Sequence, residues 1–140
     1  MEPYGFREIA HTADWELEAW APDLAGLLEQ AARGMYALAG ARLADGLRLQ
    51  RRLALDAPDR ESLLVAFLSE LLWLGESQAL AFDGFRLDIT HPAGAGLQLS
   101  AALNGAGLAA IEKEIKAVTW HRLAIQDANQ GLRVRIVFDV

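Results

Sequence analysis

Two stretches of the chain carry apolar residues at the three- and four-residue spacing of a helix that faces a core. The first follows Pro22-Asp23 and ends at Gly40, and Asp23 is suited to cap its N-terminus as Gly40 is suited to end it. The second begins near Pro58-Asp59 and runs to about Ser77. Their apolar positions are Leu24, Leu27, Leu28, Ala31, Ala32, Met35, Leu38 and Ala39 in the first, and Leu64, Phe67, Leu68, Leu71, Leu72 and Leu74 in the second.

Alternating apolar and polar residues predict strands elsewhere. From Glu8 to Trp20, the alternation places Asp14, Glu16 and Glu18 on a solvent-facing side, opposite Trp15, Leu17 and Ala19. Further strands are predicted over 47–55, 81–90, 96–103, 114–125 and 132–140, with a turn at 129–131 before the last. Together these elements predict an α+β fold, a two-layer sandwich with two helices packed on one face of a mainly antiparallel sheet.

The length and composition suit one domain spanning residues 1–140, because 140 residues with 53% hydrophobic content can bury a single core. The absence of cysteine excludes disulfides and thiolate chemistry, and it suits a cytoplasmic protein. The first eight residues do not resemble a secretory signal, and the longest apolar run, Leu63 to Leu68, is too short to span a membrane. We therefore expect a cytoplasmic protein without a membrane partner.

The charge balance argues against tight direct binding of nucleic acid. The chain has 13 Lys and Arg against 19 Asp and Glu, a formal net charge of -6. A domain that holds RNA or DNA by neutralising phosphates carries the opposite balance. An acidic surface suits docking onto a basic partner, and it also serves solubility alone.

The last predicted strand places oxygen ligands close together. Its polar positions Arg133, Arg135 and Asp139 share one face, and the α-carboxylate of Val140 follows Asp139 directly. With Asp14, these groups offer the oxygen donors that Ca²⁺, Mg²⁺ or Mn²⁺ prefer, provided that the fold brings the two strands together. Three solvated acidic groups on a wet face explain the same pattern.

Two histidines and one lysine are the other candidates for chemistry. His11 and His121 could bind a metal or move protons, and each also suits a plain structural or surface role. Lys116 lies in the predicted strand 114–125, where an isolated lysine usually faces solvent. The sequence has no phosphate-binding glycine loop and no Gly-x-Ser-x-Gly elbow, so we identify no intrinsic catalytic constellation.

Three motifs, in this order along the chain, resemble those of the archease family. They are His11-Thr12-Ala13-Asp14, the run Ile115 to His121 (IKAVTWH), and the run Ile136 to Val140 (IVFDV). Pro22-Asp23-Leu24 and the run Phe67 to Leu74 also look like the family, so the resemblance covers essentially the whole chain.

The resemblance implies an α+β accessory protein rather than an enzyme. Its partner would be an RtcB-type RNA ligase, which acts in tRNA splicing and RNA repair, and the accessory protein would promote guanylylation and multiple turnover of that ligase. The matching positions for a divalent metal are Asp14, Asp139 and Val140, with calcium the ion seen in the family and Mg²⁺ or Mn²⁺ as alternatives. Lys116 matches a lysine needed for activation, together with Asp14 and Asp139. Strand alternation places His11 on the opposite side from Asp14, so we assign His11 and His121 only supporting roles.

The sequence departs from the family in the stretch before this late motif, where 103–113 is short and rich in Gly and Ala. Trp15 and Trp120 also differ from the expected aromatics. Two other functions stay open: a small metal-dependent hydrolase using His11, Asp14 and His121, and a chaperone-like binding module using exposed aromatics. A ligase-joining assay would separate these functions from the accessory role.

Overall fold

The computed structural model describes residues 2–10 and 15–140. In chain order the elements are β1 (Gly5–Ile9), β2 (Trp15–Ala21), α1 (Leu24–Ala39), β3 (Arg42–Leu43), β4 (Leu49–Ala57), α2 (Arg60–Gln78), β5 (Leu80–Thr90), β6 (Leu97–Ala110), β7 (Ala117–Val118), β8 (Gln126–Ala128) and β9 (Gly131–Asp139).

The strands form two sheets rather than the one that the sequence predicted. The first sheet has the order β1-β2-β9-β7, and β8 also pairs with β9. In the second sheet β6 is central and pairs with β3, β4 and β5. Every strand pair in the described part of the chain is antiparallel, which confirms the α+β class.

The two helices contact both sheets and share one core with them. Helix α1 lies against β1 and β2 of the first sheet and against β5 of the second. Helix α2 lies against β4, β5 and β6 of the second sheet and reaches β7 of the first. The fully buried side chains come from both helices and both sheets, and the largest are Phe67, Phe82, Phe138, Leu17, Leu27, Leu28 and Met35.

Both helices begin and end close to where the sequence predicts. The Asp23 carboxylate accepts a hydrogen bond from the amide of Gly26 at 2.8 Å, and the Asp59 carboxylate accepts one from the amide of Ser62 at 2.7 Å. Each cap satisfies one of the free amides in the first helical turn. Gly40 ends α1 in the left-handed conformation, with φ 64°. None of the described helices is long and apolar enough to cross a membrane.

Two of the predicted strands were wrong in extent. The single strand predicted from Glu8 to Trp20 is two strands, β1 and β2, which pair with each other. The strand predicted over 114–125 contains only the two residues of β7. A turn interrupts it, because Leu123 donates its amide to the carbonyl of Trp120 at 3.1 Å and Arg122 has φ 53°.

Strand β6 is longer than predicted because its glycines allow close approach of the neighbouring strand. A Cβ at Gly105 would lie 2.0 Å from the carbonyl oxygen of Ala81 on β5. Glycine is therefore required at this point, and the Gly-rich interval continues the strand to Ala110 instead of breaking it.

Candidate functional site at the end of strand β9

Asp139 and Lys116 are brought together through the backbone. Strand β7 pairs with the end of β9 so that Ala117 lies opposite Asp139. The amide of Lys116 donates to the carbonyl of Asp139 at 2.7 Å. Both side chains are exposed, and Val140 is half-buried beside them. The ammonium of Lys116, directly before β7, and the carboxylate of Asp139, at the end of β9, are thus both open to a partner.

The face predicted for Asp139 is confirmed. Along β9, Val134, Ile136 and Phe138 are buried in the core, whereas Arg135 and Asp139 are exposed on the other face. Asp139 therefore lies on the side of the first sheet that is turned away from the core.

The start of β2 lies beside the end of β9. Trp15 is the strand partner of Phe138, the residue before Asp139. His11 and Asp14, both in the first of the three sequence motifs, lie outside the described residues. Their proposed roles stay predictions, and the same holds for the metal site that needs Asp14.

The loop that carries Lys116 is fixed at three points around this site. The amides of Glu112 and Lys113 donate to the carbonyl of Ala39 at 2.9 and 3.0 Å, at the end of α1. The ammonium of Lys113 lies 5.4 Å from the ring centre of Trp15, within the range of a cation–π contact. With the Lys116 bond to Asp139, the loop connects α1, β2 and β9.

The prediction that Glu16 and Glu18 face solvent was wrong, since their exposed fractions are 9% and 3%. The Glu18 carboxylate pairs with Arg7 at 2.8 Å and lies 3.7 Å from the Nε of Arg135. The Glu16 carboxylate lies 3.6 Å from Arg135. Arginines on β1 and β9 cover this face, which supplies the partners that buried carboxylates require.

A cleft of about 460 Å³ opens on the same face of the first sheet, next to these ion pairs. Its segment 119–122 is held against β9, because the Thr119 hydroxyl donates to the carbonyl of Val137 at 2.9 Å and accepts the His121 amide at 3.3 Å. His121 is exposed and is thereby brought to the polar face that also carries Asp139. The cleft is lined by Ile9, Ala10, Glu16, His121, Arg122, Arg135 and Val137.

A smaller apolar cavity of about 220 Å³ lies on the other side of Lys116. No sequence pattern indicated it, because its walls come from three separate parts of the chain, 35–41, 71–80 and 108–116. Burial in this region raises the pKa of the Tyr36 hydroxyl well above its usual range. The cavity is lined by Met35, Tyr36, Ala39, Ala41, Leu71, Leu72, Gly75, Glu76, Leu80, Leu108, Ile111, Glu114, Ile115 and Lys116.

The described residues supply only some of the ligands that a divalent metal site needs. Asp139 and Val140 supply oxygen donors of the kind that hard cations prefer. Within residues 2–10 and 15–140, no three His, Asp or Glu side chains come close enough to hold an ion. A site here therefore needs a further ligand from the segment 11–14 or from a partner.

A family profile and individual relatives both match this chain over nearly its whole length. The profile of the Archease protein family (MTH1598/TM1083) matches residues 6–140. A protein archease of Methanosarcina barkeri is 31% identical over 143 residues, which cover 96% of this chain and 95% of that protein. A protein archease of Methanothermobacter thermautotrophicus is 29% identical over 140 residues, and the alignment covers 97% of this chain and 99% of that protein.

Solved structures are similar over the same extent. The solution structure of protein 1598 of Methanobacterium thermoautotrophicum superposes with a TM-score of 0.74 at 28% identity, covering 97% of this chain and 99% of its own. A crystal structure from Thermotoga maritima, described as an archease and possible chaperone, has a TM-score of 0.68 at 24% identity and covers 96% of both chains. The second likeness shows the fold alone.

Proposed function

This chain belongs to the archease family, and from that membership we propose that it is an accessory protein that activates an RtcB-type RNA ligase. The ligase joins RNA ends in tRNA splicing and RNA repair, and the accessory protein promotes its guanylylation and its repeated turnover. The observation that carries the proposal is the match of the family over residues 6–140, which includes the motifs around Lys116 and Asp139.

The geometry supports an activating surface rather than an active site. Lys116 directly precedes β7 and Asp139 ends β9; both side chains are exposed, and the backbone bond between the two residues holds the segments together. A lysine and a carboxylate placed this way can stabilise phosphate charge and orient a cation in the active site of a docked ligase. In this proposal the chain has no turnover of its own.

The proposal assigns a divalent metal to Asp14, Asp139 and Val140. When bound, the ion would supply positive charge to the guanylylation step. Asp14 directly precedes Trp15 in the sequence, and Trp15 pairs with the neighbour of Asp139, so the strand register favours this set. Calcium, magnesium and manganese all accept such oxygen ligands.

The partner is a protein, and the site of action is the cytoplasm. A net charge of -6 favours contact with a basic protein surface over direct binding of RNA. Trp120 supports this proposal, because it is 57% exposed and directly precedes His121 in the sequence.

Addition of the purified protein to a cognate ligase tests the function. We expect faster formation of the ligase–GMP intermediate and more than one joining event per ligase, with no RNA joining or hydrolysis by the accessory protein alone. RNA cleavage or phosphate release without the ligase would instead support the hydrolase. Absence of both effects would leave a general binding module and overturn the proposal.

Direct metal binding tests the ligand assignment separately. Isothermal titration of Ca²⁺ and Mn²⁺ into the protein should give one site, weakened at least roughly tenfold in Asp139→Asn and in Asp14→Ala. Asp127→Asn, at an exposed position on β8, is the control and should bind as the unmodified protein does. Equal metal affinity in all four proteins would contradict the assignment whatever the ligase assay shows.

A further inference from the structure

We propose that the apolar cavity beside Lys116 receives an apolar side chain of the partner ligase, from a segment that carries a basic residue next to it. The inference rests on the proposed function, because it names how the partner is held. The cavity lies between Lys116 and residues of helices α1 and α2. It does not include the acidic groups assigned to the metal.

The cavity has the size and lining of an anchor pocket. Its volume of about 220 Å³ exceeds that of apolar cavities of about 150 Å³ that accept benzene. Met35, Ala39 and Ile115 form buried walls, each at most 5% exposed. An apolar side chain of leucine or phenylalanine size therefore fits, and these three walls offer it van der Waals contact.

The cavity opens to the surface at an exposed apolar residue. Ile111 lies at the opening and is 46% exposed, although isoleucine is among the residues that are most often buried. An apolar opening beside an apolar pocket is typical of the anchor contacts at the centre of protein interfaces.

The charges at the opening determine the chemistry of the occupant. Glu76 and Glu114 line the cavity and are exposed, with Lys116 as the single cation among the described residues that line it. Glu112 lies close by, since a Cβ at Gly40 would meet its carboxylate at 2.6 Å. Among the lining side chains, two carboxylates against one ammonium favour an incoming segment with a lysine or arginine beside the apolar anchor.

An occupant of this cavity would act directly on the segment that holds the site. Ile115 is a cavity wall, and the amide of the next residue, Lys116, donates to the carbonyl of Asp139 at 2.7 Å. The other end of the loop is bound to Ala39, which is also a wall. Filling the cavity would therefore fix Lys116 and the end of β9 relative to the ligase.

A variant that fills the cavity tests the inference. Gly75 lines the cavity, and a Cβ there meets only the carbonyl oxygen of Leu80, at an ordinary 3.5 Å. Gly75→Leu adds a side chain that competes with the anchor, whereas Gly75→Ala adds only a methyl group. Alanine and leucine have similar helix propensities, so the pair differs mainly in occupied volume.

We expect Gly75→Leu to raise the Kd for the purified ligase roughly 30-fold, as loss of an interface anchor does. Gly75→Ala should bind within about threefold of the unmodified protein. Circular dichroism and thermal unfolding report whether each variant is folded. Equal Kd values for folded Gly75→Leu and Gly75→Ala would overturn the inference and leave the proposed function intact.

A change at the opening gives a second test that does not depend on the core. Ile111→Asp should weaken ligase binding at least roughly tenfold, because it adds a negative charge and removes apolar surface from the contact. Leu47→Asp is the matched control, since Leu47 is 80% exposed and does not line the cavity. Equal binding by these two variants would also overturn the inference. If the unmodified protein neither binds nor stimulates the ligase, the proposed function itself fails.

Discussion

Replacing Glu18 with glutamine tests whether its buried charge stabilises the first sheet. The side chain is 3% exposed and its carboxylate accepts a 2.8 Å hydrogen bond from Arg7 on β1. Arg133 and Arg135 on β9 lie 3.8 and 3.7 Å from the same carboxylate. Glu18→Gln keeps the shape of the side chain and removes the charge that these three arginines share.

The expected loss of unfolding free energy depends on how far Glu18 and its arginine partners are buried. Breaking a fully buried ion pair costs about 3–5 kcal/mol, and a hydrogen bond to a charged group contributes about 1.5–3 kcal/mol. The side chains of Arg7, Arg133 and Arg135 are 59%, 35% and 60% exposed, so water can solvate them again. We therefore expect a loss within the lower of these two ranges, about 2 kcal/mol of unfolding free energy.

Urea unfolding followed by circular dichroism measures this loss. With an m-value of about 2 kcal/mol/M, the midpoint should fall by about 1 M. Glu29→Gln is the control, because Glu29 pairs with Arg33 at 2.9 Å within α1 at a more exposed position. It should cost about 0.5 kcal/mol or less. Equal midpoints for the two variants would refute the argument that burial gives the Glu18 charge its importance.

Two further stability predictions follow from local geometry. Gly105→Ala should lower the free energy of unfolding by about 1–3 kcal/mol, because its Cβ would meet the Ala81 carbonyl oxygen at 2.0 Å. Gly75→Ala is the control, and equal unfolding temperatures for the two variants would contradict the close approach at Gly105. Hydrogen bonds from the Ser62 amide and side chain hold the pKa of Asp59 below 3.8. The stabilisation is therefore complete above that pH and is lost as the pH falls through the folded pKa. Unfolding at several pH values should show the advantage over Asp59→Asn shrinking below pH 3.8, and a constant difference would disprove the linkage.

The helices could be predicted because their signals are local. Asp23, Asp59 and Gly40 act within one turn of the helix ends, and apolar spacing along each helix depends on no other part of the chain. The prediction of a strand over 114–125 was wrong because the alternation does not continue to its end. The bond from Leu123 to Trp120 reverses the chain at His121-Arg122, where two adjacent polar residues interrupt the alternation.

The pairing of distant strands could not be predicted from the sequence. Alternation correctly placed Asp139 on the outer face of β9, but it does not identify the neighbouring strands. Without the pairing of Glu18 with Arg135, a glutamate on a half-polar strand is expected to face solvent. The opposite charges on β2 and β9 become informative only once the two strands are adjacent.

The sequence supplied the candidate residues of the site and gave no sign of the cavity beside them. The motif resemblance selected Lys116 and Asp139, and the structure brings their backbones together. The apolar cavity gave no sequence signal, since each of its walls looks like ordinary core. The roles of His11 and Asp14 stay predictions, because both lie outside the described residues.

The pairing of β2 with β9 has a consequence for how the chain folds. Trp15 and Phe138 are about 120 residues apart in the sequence, and contacts of such separation are slow to form. During synthesis β2 emerges early, whereas β9 emerges after all the other described strands. The second sheet draws all of its strands from residues 42–110 and can assemble before then. In the interval, the carboxylate of Glu18 lacks its β9 arginines and the amide of Lys116 lacks the carbonyl of Asp139, so the candidate site and the final stability of the first sheet should be acquired in the same late step.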